Sequence, residues 1–321
     1  MWSTVSGSGD GRGPGTPTVA VVVPTYRRHE QLRKCLAALT SQTRKPDELV
    51  VVHRPEDRAS AEVIRAFSSA RPVTVHEPGL VQAMEAGAAA TTAEVLAFTD
   101  DDAVPARDWV QRMAAPFADA AIGAVGGRDR VWKAGVVEDT DECRTVGVVT
   151  RWGGHIGNHH LGKGEEREAD VVKGVNMAWR RSALAFPVGL AGRGAQPHNE
   201  IALAAWARGR GFRLLYDPRI VVDHYPGERF DDDGRNHRTA GAISDEAYNL
   251  SMATMAWSHT SRLRVTLRGV LVGEASTPGL ARWVAGRLRV ASRVSGLAPA
   301  VAGRLRAARA RPLTFRPVDA R

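Results

Sequence analysis

The sequence predicts an α/β fold, in which a mostly parallel sheet is flanked by helices and followed by a C-terminal helical extension. Short apolar segments alternate with segments of helical periodicity through the first third of the chain. Polar residues directly follow several of the apolar segments. A length of 321 residues suits one large domain of this kind with an appendage.

Strands and helices alternate up to residue 100. Val19–Val23 is an unbroken apolar run, which is typical of a buried parallel strand. In His29–Ser41 the apolar residues recur at intervals of three and four, as expected of an amphipathic helix. The further predicted elements are the strands Glu48–His53, Val73–Val75 and Val95–Phe98 and the helices Ala59–Ser69 and Val81–Ala90. This alternation predicts a Rossmann-like sheet, in which ligands bind beyond the carboxyl ends of the strands.

The pattern is weaker after Trp109. Residues 124–130 are rich in glycine and predict no regular element, and residues 152–164 are predicted to form a mobile loop. A regular sequence pattern resumes at Val171–Arg181. A helix at Glu200–Arg208, a strand at Arg213–Tyr216 closed by Asp217 and Pro218, and a second short strand at Ile220–Val222 are predicted next.

The positive charge of the chain belongs to its C-terminal part. Between Arg262 and Arg321 there are 13 arginines and 2 acidic residues, whereas the remainder holds 31 basic and 33 acidic residues. Residues 1–17 are rich in Gly and Ser and predict a disordered leader. Two cysteines cannot form a disulfide framework, which favours a reducing compartment such as the cytoplasm.

Three consecutive aspartates, Asp100, Asp101 and Asp102, follow the fourth predicted strand. Because they repel one another, such a triplet is best explained by a bound cation or by a set of hydrogen-bond donors. Asp100 and Asp102 point the same way from an extended segment. Their hard oxygen ligands suit Mg²⁺ or Mn²⁺ together with substrate phosphates. The alternative is that Asp102 caps a following turn.

Several motifs in order resemble those of family 2 glycosyltransferases, which have the GT-A fold and invert the anomeric centre. The matching segments are Val21–Arg28, Phe98–Asp102, Gly174–Arg181, Asn199 with Glu200, Gly211–Pro218, and His224. Together they extend from about Thr18 to Tyr225. The resemblance predicts a GT-A domain over residues 18–235, with a nucleotide-binding half at 18–105 and an acceptor half at 106–235, before a basic helical region at 236–321.

The resemblance implies a donor site at the ends of the first, second and fourth strands. Tyr26 would contact the base of a nucleotide-sugar, although a plain turn after the strand explains this residue equally well. Many relatives have two acidic residues after the second strand and an Arg-Asn pair in the third helix. This chain has Arg54 and Asp57 in the first place and Met84-Glu85 in the second, which weakens any inference about the donor's identity. The implied donor-binding residues are Pro24, Thr25, Tyr26, Arg54, Asp57, Asp100 and Asp101.

The resemblance also implies a metal site and a catalytic base. Asp102 and His224 would hold Mn²⁺ or Mg²⁺, the alternative for His224 being a structural role. Glu200 would be the general base in the first turn of a helix capped by Asn199, the alternative being an acid favoured there by the helix dipole. The residues implied near the acceptor or the diphosphate are Lys173, Gly174, Asn176, Arg180 and Asn199.

These residues predict an inverting, metal-dependent glycosyltransferase that uses a nucleotide-diphosphate sugar, with a UDP-sugar favoured. Its acceptor would be a saccharide or a lipid-linked molecule from which a cell-envelope polysaccharide is built. One alternative is a nucleotidyltransferase, which would need a basic Gly-rich loop after the first strand, where Pro24, Thr25 and Tyr26 stand instead. Another is a catalytically silent sugar-nucleotide binder or membrane scaffold, against which Glu200 and Asp102 argue.

Two further segments are distinctive. His155, His159 and His160 lack the cysteine partners and spacing of a zinc site, so we expect a loop beside the acceptor. From Leu280 onward, apolar residues recur at helical spacing among arginines up to Pro299, which is expected to interrupt the helix. This composition fits contact with an anionic membrane at the inner face of the cytoplasmic membrane, or a helix packed on the domain. Nucleic-acid binding is not predicted, because no recognition module accompanies the charge.

Overall fold

The computed structural model describes residues 16–138, 143–228, 230–231, 238–289 and 296–319, without the side chains of 287–289. The predicted leader lies outside this part of the chain except for its last two residues. Residues 290–295, in which the helix from Leu280 was predicted to continue, also lie outside it. The division of the chain at residue 235 stays a prediction.

The strands in the described part alternate with helices as far as β4. In chain order they are β1 Val19–Pro24, β2 Glu48–His53, β3 Ala70–Thr74, β4 Val95–Thr99, β5 Ala103–Pro105, β6 Ile122–Lys133, β7 Val136–Val137, β8 Val148–Val149, β9 His155–Ile156, β10 Arg167–Glu168, β11 Asn176–Arg180, β12 Ala185–Val188, β13 Arg213–His224 and β14 Thr314–Pro317.

The helices are concentrated between the first strands and in the C-terminal part. They are α1 His29–Thr40, α2 Arg58–Arg65, α3 Leu80–Ala89, α4 Trp109–Ala114, α5 Asn199–Gly209, α6 Ala240–Met255, α7 Arg262–Leu271, α8 Leu280–Arg289 and α9 Leu297–Arg309. Among the described residues, none of these helices combines the length and apolar character needed to cross a bilayer.

The main sheet has the strand order β10-β13-β6-β11-β4-β1-β2-β3. β1 runs parallel to β2 and β4, and β2 runs parallel to β3. β11 is antiparallel to β4 and β6, and β6 is again parallel to β13. The predicted α/β sheet is confirmed, and one antiparallel strand joins its two parallel parts.

Helices cover both faces of the sheet, because alternate residues of each buried strand point to opposite sides. Ala20 and Val22 of β1 pack in the cluster that includes α3, α5 and α6. Val19, Val21 and Val23 pack in the cluster that includes α1, α2 and α4. Two apolar layers thus hold the sheet rigid, and the residues beyond the carboxyl ends of its strands have a fixed base.

The Gly-rich segment 124–130, for which no element was predicted, belongs to the long strand β6. Glycine is needed in this strand because neighbouring atoms leave no room for a Cβ atom, and not because the chain turns there. A Cβ atom on Gly127 would lie 2.0 Å from the backbone oxygen of Ile220 in β13 and 2.7 Å from the side-chain nitrogen of Asn176. The prediction failed because glycine here allows close packing between strands instead of breaking a strand.

The two strands predicted around Asp217 and Pro218 form one strand, β13. The pairing between β13 and β6 shifts register between Asp217 and Val221, which marks a bulge. Proline cannot donate to a ladder, and a bulge is one of the few interior positions that tolerates it. The bulge also keeps Val222 to His224 on the sheet, so that His224 reaches the ends of the neighbouring strands.

The C-terminal region packs on the rest of the chain. Leu250 and Ala253 of α6, with Trp257 just beyond it, belong to the same cluster as Trp179 of β11. β14 pairs antiparallel with β12. Pro299 does not interrupt a helix but stands in the first turn of α9, where the backbone N–H that proline lacks has no helical partner.

Candidate active site

The residues beyond the carboxyl ends of β1, β2 and β4 line one cavity of about 510 Å³. Its opposite wall is formed by the segment before β11, by the start of α5 and by the end of β13. Predicted site residues on its wall are Pro24, Thr25, Tyr26, Arg54, Asp100, Lys173, Gly174, Asn199, Glu200 and His224. The structure thus brings these predicted residues together at one edge of the sheet.

The acidic triplet is held by hydrogen bonds and one arginine. Asp101 is fully buried, accepts a hydrogen bond from the Thr25 hydroxyl at 2.7 Å and lies 2.9 Å from Arg28. Arg28 also donates to Oδ2 of Asp102 at 2.7 Å, and the backbone N–H of Gly227 donates to the same oxygen at 2.8 Å. Asp101 thus ties β1 to the end of β4, and neither Asp101, predicted to bind the donor, nor Asp102 is among the residues that line the cavity.

Asp100, Asp102 and His224 could hold a metal ion, since one ligand atom from each lies within 4.8 Å of the others. Oxygen ligands of Mg²⁺ lie about 2.1 Å from the ion, so two ligands of one ion are separated by at most about 4.2 Å. The present spacing is therefore close to that of a bound small divalent cation. Both ring nitrogens of His224 are buried without a hydrogen-bond partner among the described residues, which also fits a ligand position. The resemblance had assigned Asp100 to the donor sugar-nucleotide, but here it belongs to the metal-binding group.

Asp129 is a buried acid behind His224 that the sequence analysis missed. Its Oδ2 lies 3.8 Å from Nδ1 of His224, whose Nε2 lies 3.4 Å from Oδ1 of Asp102. Lys173 forms an ion pair with Asp129. A carboxylate behind a histidine ligand orients its ring. Lys173, expected near the diphosphate, therefore also neutralises the acid that faces His224.

The pKa values of these groups reflect their charges. Burial alone would raise the pKa of Asp102 and lower that of His224. Their mutual attraction, together with Arg28 and the Gly227 N–H at Asp102 and with Asp129 at His224, outweighs burial in both. The pKa of Asp102 lies well below its usual range, and that of His224 is raised to about 9. Burial raises the pKa of Asp101 to about 7. In the absence of a metal, the positive charges of Arg28 and His224 thus balance the triplet, and His224 must lose its proton to bind a cation.

Glu200 lies in the first turn of α5, as predicted. Its Oε1 accepts a hydrogen bond from the backbone N–H of Gly174 at 3.3 Å. A Cβ atom on residue 174 would lie 3.0 Å from that oxygen, so glycine allows this approach. The predicted cap is wrong, because Asn199 is the first helical residue and His198 precedes it in a left-handed conformation. The side chain of Asn199 donates instead to the backbone oxygen of Gln196.

The ring of Tyr26 contacts two residues that are distant from each other in the chain, Arg54 and Phe230. The guanidinium of Arg54 lies 3.9 Å from the centre of the tyrosine ring and donates two hydrogen bonds to Asp231, at 3.1 and 2.9 Å. Phe230 makes an edge contact with the same ring. Asp57 does not line the cavity; its two oxygens accept from the backbone N–H groups of Ser60 and Arg27. Asp57 caps α2, so the structure does not bring it to the donor-binding group.

The three histidines of the predicted loop line the cavity. The loop is partly a hairpin of β8 and β9. The ring of His155 lies 6.3 Å from that of His198, and Nε2 of His159 is 2.8 Å from the backbone oxygen of Val171. Burial lowers the pKa of His155 to about 3 and that of His159 to about 4, so both are neutral at pH 7.

Two residues assigned to the acceptor or the diphosphate instead support the fold. Arg180 lies at the other end of β11, where its guanidinium donates to the backbone oxygens of Phe117, Asp119 and Ile122. Asn176 is fully buried. Its side chain accepts from the indole N–H of Trp109 and donates to the backbone oxygens of Arg128 and Ile220.

Replacing Asn176 with alanine is expected to lower the free energy of unfolding by about 3 kcal/mol or more, because each buried group left unsatisfied costs about 1–3 kcal/mol. Denaturant unfolding monitored by tryptophan fluorescence measures this loss. Gln111→Ala, at an exposed position of α4, is the matched control and should stay within about 0.5 kcal/mol of the parent. An Asn176→Ala protein that unfolds like the parent would contradict the structural role.

The fold is of the GT-A type, and its site combines a candidate carboxylate–histidine cation group with a glutamate in the first turn of a helix. A model of the family described as Glycosyl transferase family 2 matches residues 20–183, which is just over half of the chain. The chain therefore belongs to glycosyl transferase family 2, a family of enzymes, and the resemblance found in the sequence is confirmed.

Known proteins match parts of the chain. Glycosyltransferase AglE of Haloferax volcanii is 30% identical over 118 residues, which is 35% of this chain and 39% of AglE. Glycosyltransferase GlyA of Streptococcus pneumoniae serotype 4 is 31% identical over 98 residues, which is 29% of this chain and 13% of GlyA. The matched stretches thus span less than half the length of either relative.

Two solved structures share the fold. GalNAc-T7, solved with UDP, GalNAc and Mn²⁺, has a TM-score of 0.57 and 16% identity, over 75% of this chain and 48% of that one. The mannosyltransferase PcManGT of Pyrobaculum calidifontis, solved with GDP-Man and Mn²⁺, has a TM-score of 0.54 and 17% identity, over 91% and 87%. At these identities the likeness concerns the fold alone.

Proposed function

We propose that this protein transfers a sugar from a nucleotide-diphosphate sugar, a UDP-sugar by preference, to an acceptor hydroxyl with inversion. One observation carries the proposal: Asp100 and His224, two members of the group that could hold a metal ion, line the same cavity as Glu200. A cation site for a diphosphate and a carboxylate suited to proton transfer are thus within reach of one substrate.

The reaction follows from these residues. The Glu200 carboxylate takes the proton of the acceptor hydroxyl while that oxygen bonds to the anomeric carbon from the face opposite the diphosphate. The bond to the diphosphate oxygen breaks, the nucleoside diphosphate leaves with the electron pair, and the configuration inverts. When bound, Mn²⁺ or Mg²⁺ supplies positive charge near the leaving diphosphate. The hydrogen bond from the Gly174 N–H holds Glu200 toward the cavity.

The donor side of the cavity supports nucleotide binding. Tyr26 presents an aromatic ring at the carboxyl end of β1, and the guanidinium of Arg54, paired with Asp231, adds positive charge beside it. The two structural neighbours were solved with UDP and with GDP-Man, so both bases belong in any test. We propose a saccharide or lipid-linked acceptor of a cell-envelope polysaccharide, handled in the cytoplasm at the inner face of the cytoplasmic membrane. The free thiols of Cys35 and Cys143 support a reducing compartment.

A thermal-shift panel of UDP-, GDP- and dTDP-sugars, each with Mn²⁺ or with EDTA, tests this function. A ligand at 100 times its Kd stabilises the folded state by about 2.7 kcal/mol. One donor class should raise the melting temperature, and Mn²⁺ should enlarge the shift. If no donor raises it, or if the shift is the same in EDTA, metal-dependent donor binding is refuted.

A further inference from the structure

The helix α7 exposes leucines on the side that faces away from the protein. Leu263, Leu267 and Leu271 are spaced four residues apart and therefore share one face, and their exposed fractions are 68%, 45% and 51%. The inward face of α7 carries Val265 and Gly269 instead. An amphipathic helix that packs on a domain normally turns its leucines inward. α7 is therefore apolar on both faces.

Further exposed apolar residues lie on α8 and on a loop next to α7. Residues 272–279 join α7 to α8, in which Leu280 and Val284 are also spaced four apart and are 49% and 42% exposed. Trp152, which precedes β9, is 56% exposed, and the guanidinium of Arg264 lies 5.8 Å from its ring. We call this surface the α7–α8 face; it comprises Trp152, Leu263, Leu267, Leu271, Val272, Leu280 and Val284.

The segment that forms α7 and α8 is rich in positive charge. The sequence from Arg262 to Arg289 contains six arginines and a single acid, Glu274. Glu274 is paired with Arg268 at 2.7 Å. Arg264 and Arg282 are exposed on the two helices. Aliphatic side chains with a tryptophan and arginines, and without free carboxylates, complement the anionic headgroups and the acyl boundary of a bilayer.

We infer that the α7–α8 face docks on an anionic lipid bilayer and that the acceptor side of the cavity faces that membrane. The second statement rests on the proposed function. Trp152 precedes His155, which lines the cavity, by three residues, so the two lie within roughly 11 Å of each other. Gly153 and Gly154 between them pack against Val265 and Arg268 of α7, which fixes the loop to the docking helix. The acceptor class is therefore an alcohol or saccharide carried on a membrane lipid.

Co-sedimentation with vesicles tests the docking. The parent protein should pellet with vesicles of phosphatidylcholine and phosphatidylglycerol, and salt should weaken this binding. The double variant Leu267→Glu, Leu271→Glu and the double variant Arg264→Ala, Arg282→Ala should each bind these vesicles roughly tenfold or more weakly. Val136→Glu, at a position 68% exposed on β7, is the matched control and should bind like the parent.

Three results would overturn the inference. The first is that the leucine double variant pellets with vesicles as fully as the parent. The second is that the parent binds vesicles of phosphatidylcholine alone equally well. The third is that light scattering shows a dimer, that the leucine substitutions dissociate it, and that vesicles bind neither the dimer nor the monomer. Donor-induced thermal shifts measured on the same variants without vesicles should equal those of the parent. Vesicle binding through this face in a protein that no donor stabilises would refute the proposed function and leave the docking intact.

Discussion

Glu200→Gln is expected to lower kcat by a factor of roughly 10²–10⁴, which is the usual contribution of a general base. The amide is nearly the same size as the carboxylate and still offers an oxygen to the N–H of Gly174, so the start of α5 should keep its shape. It cannot take the acceptor proton at neutral pH. The donor should bind as it does to the parent, because the residues at the ends of β1, β2 and β4 are unchanged.

Two measurements separate catalysis from binding in this variant. Turnover is followed by release of the nucleoside diphosphate in the presence of acceptor, and donor affinity by the thermal shift with Mn²⁺. Glu77→Gln, an exposed carboxylate on the rim of the same cavity, is the matched control and should retain the parent rate. A Glu200→Gln enzyme that turns over at the parent rate would place the base elsewhere.

The strand ends could be predicted because they depend on local patterns. An apolar run that ends in Thr25 or in the triplet from Asp100 to Asp102 places polar groups at the edge of a parallel sheet, whatever the rest of the chain does. The position of Glu200 at the start of a helix is equally local. Thr25, Asp100 and Glu200 therefore line the same cavity, as the sequence predicted, whereas Asp101 and Asp102 are buried and are not among the residues that line it.

The residues that the sequence analysis missed depend on contacts between distant segments. Asp129 stands in a Gly-rich segment, and its partners Lys173 and His224 are 44 and 95 residues away in the chain. Arg180 was assigned to the site because it stands in the same motif as Asn176. β11 runs antiparallel to β4, however, so that Asn176 lies opposite Thr99 and Arg180 opposite Val95. Four residues of a strand span about 13 Å, which removes Arg180 from the edge where ligands bind.

The C-terminal leucines show a different limit. A helical repeat of apolar residues indicates one apolar face but not whether that face is covered. Leu250 of α6 and Leu267 of α7 both belong to such repeats; the first is buried in the main core and the second is exposed. Only the packing of α7 on α9, through Gly269 and Arg304, shows which side of α7 faces outward.

Asp102→Asn is expected to abolish the part of the donor-induced thermal shift that depends on Mn²⁺, and to reduce kcat by roughly 10²-fold or more. The substitution removes a charged ligand from the group formed with Asp100 and His224. It also leaves Arg28 and the protonated His224 with one fewer negative charge to balance them. The metal-free variant should therefore be less stable than the metal-free parent, even though the side chain keeps its size.

Asp223→Asn is the matched control, because Asp223 is adjacent to His224 on β13 but points to the other side of the strand. Its carboxylate accepts hydrogen bonds from Arg130 and from the indole of Trp132, and it is no part of the metal-binding group. Asp223→Asn should keep the Mn²⁺-dependent part of the donor-induced thermal shift, whatever the substitution does to the stability of the protein. If the shift with Mn²⁺ persists in Asp102→Asn and is lost in Asp223→Asn, the cation is held on the opposite side of β13, and the division of roles among the three aspartates is wrong.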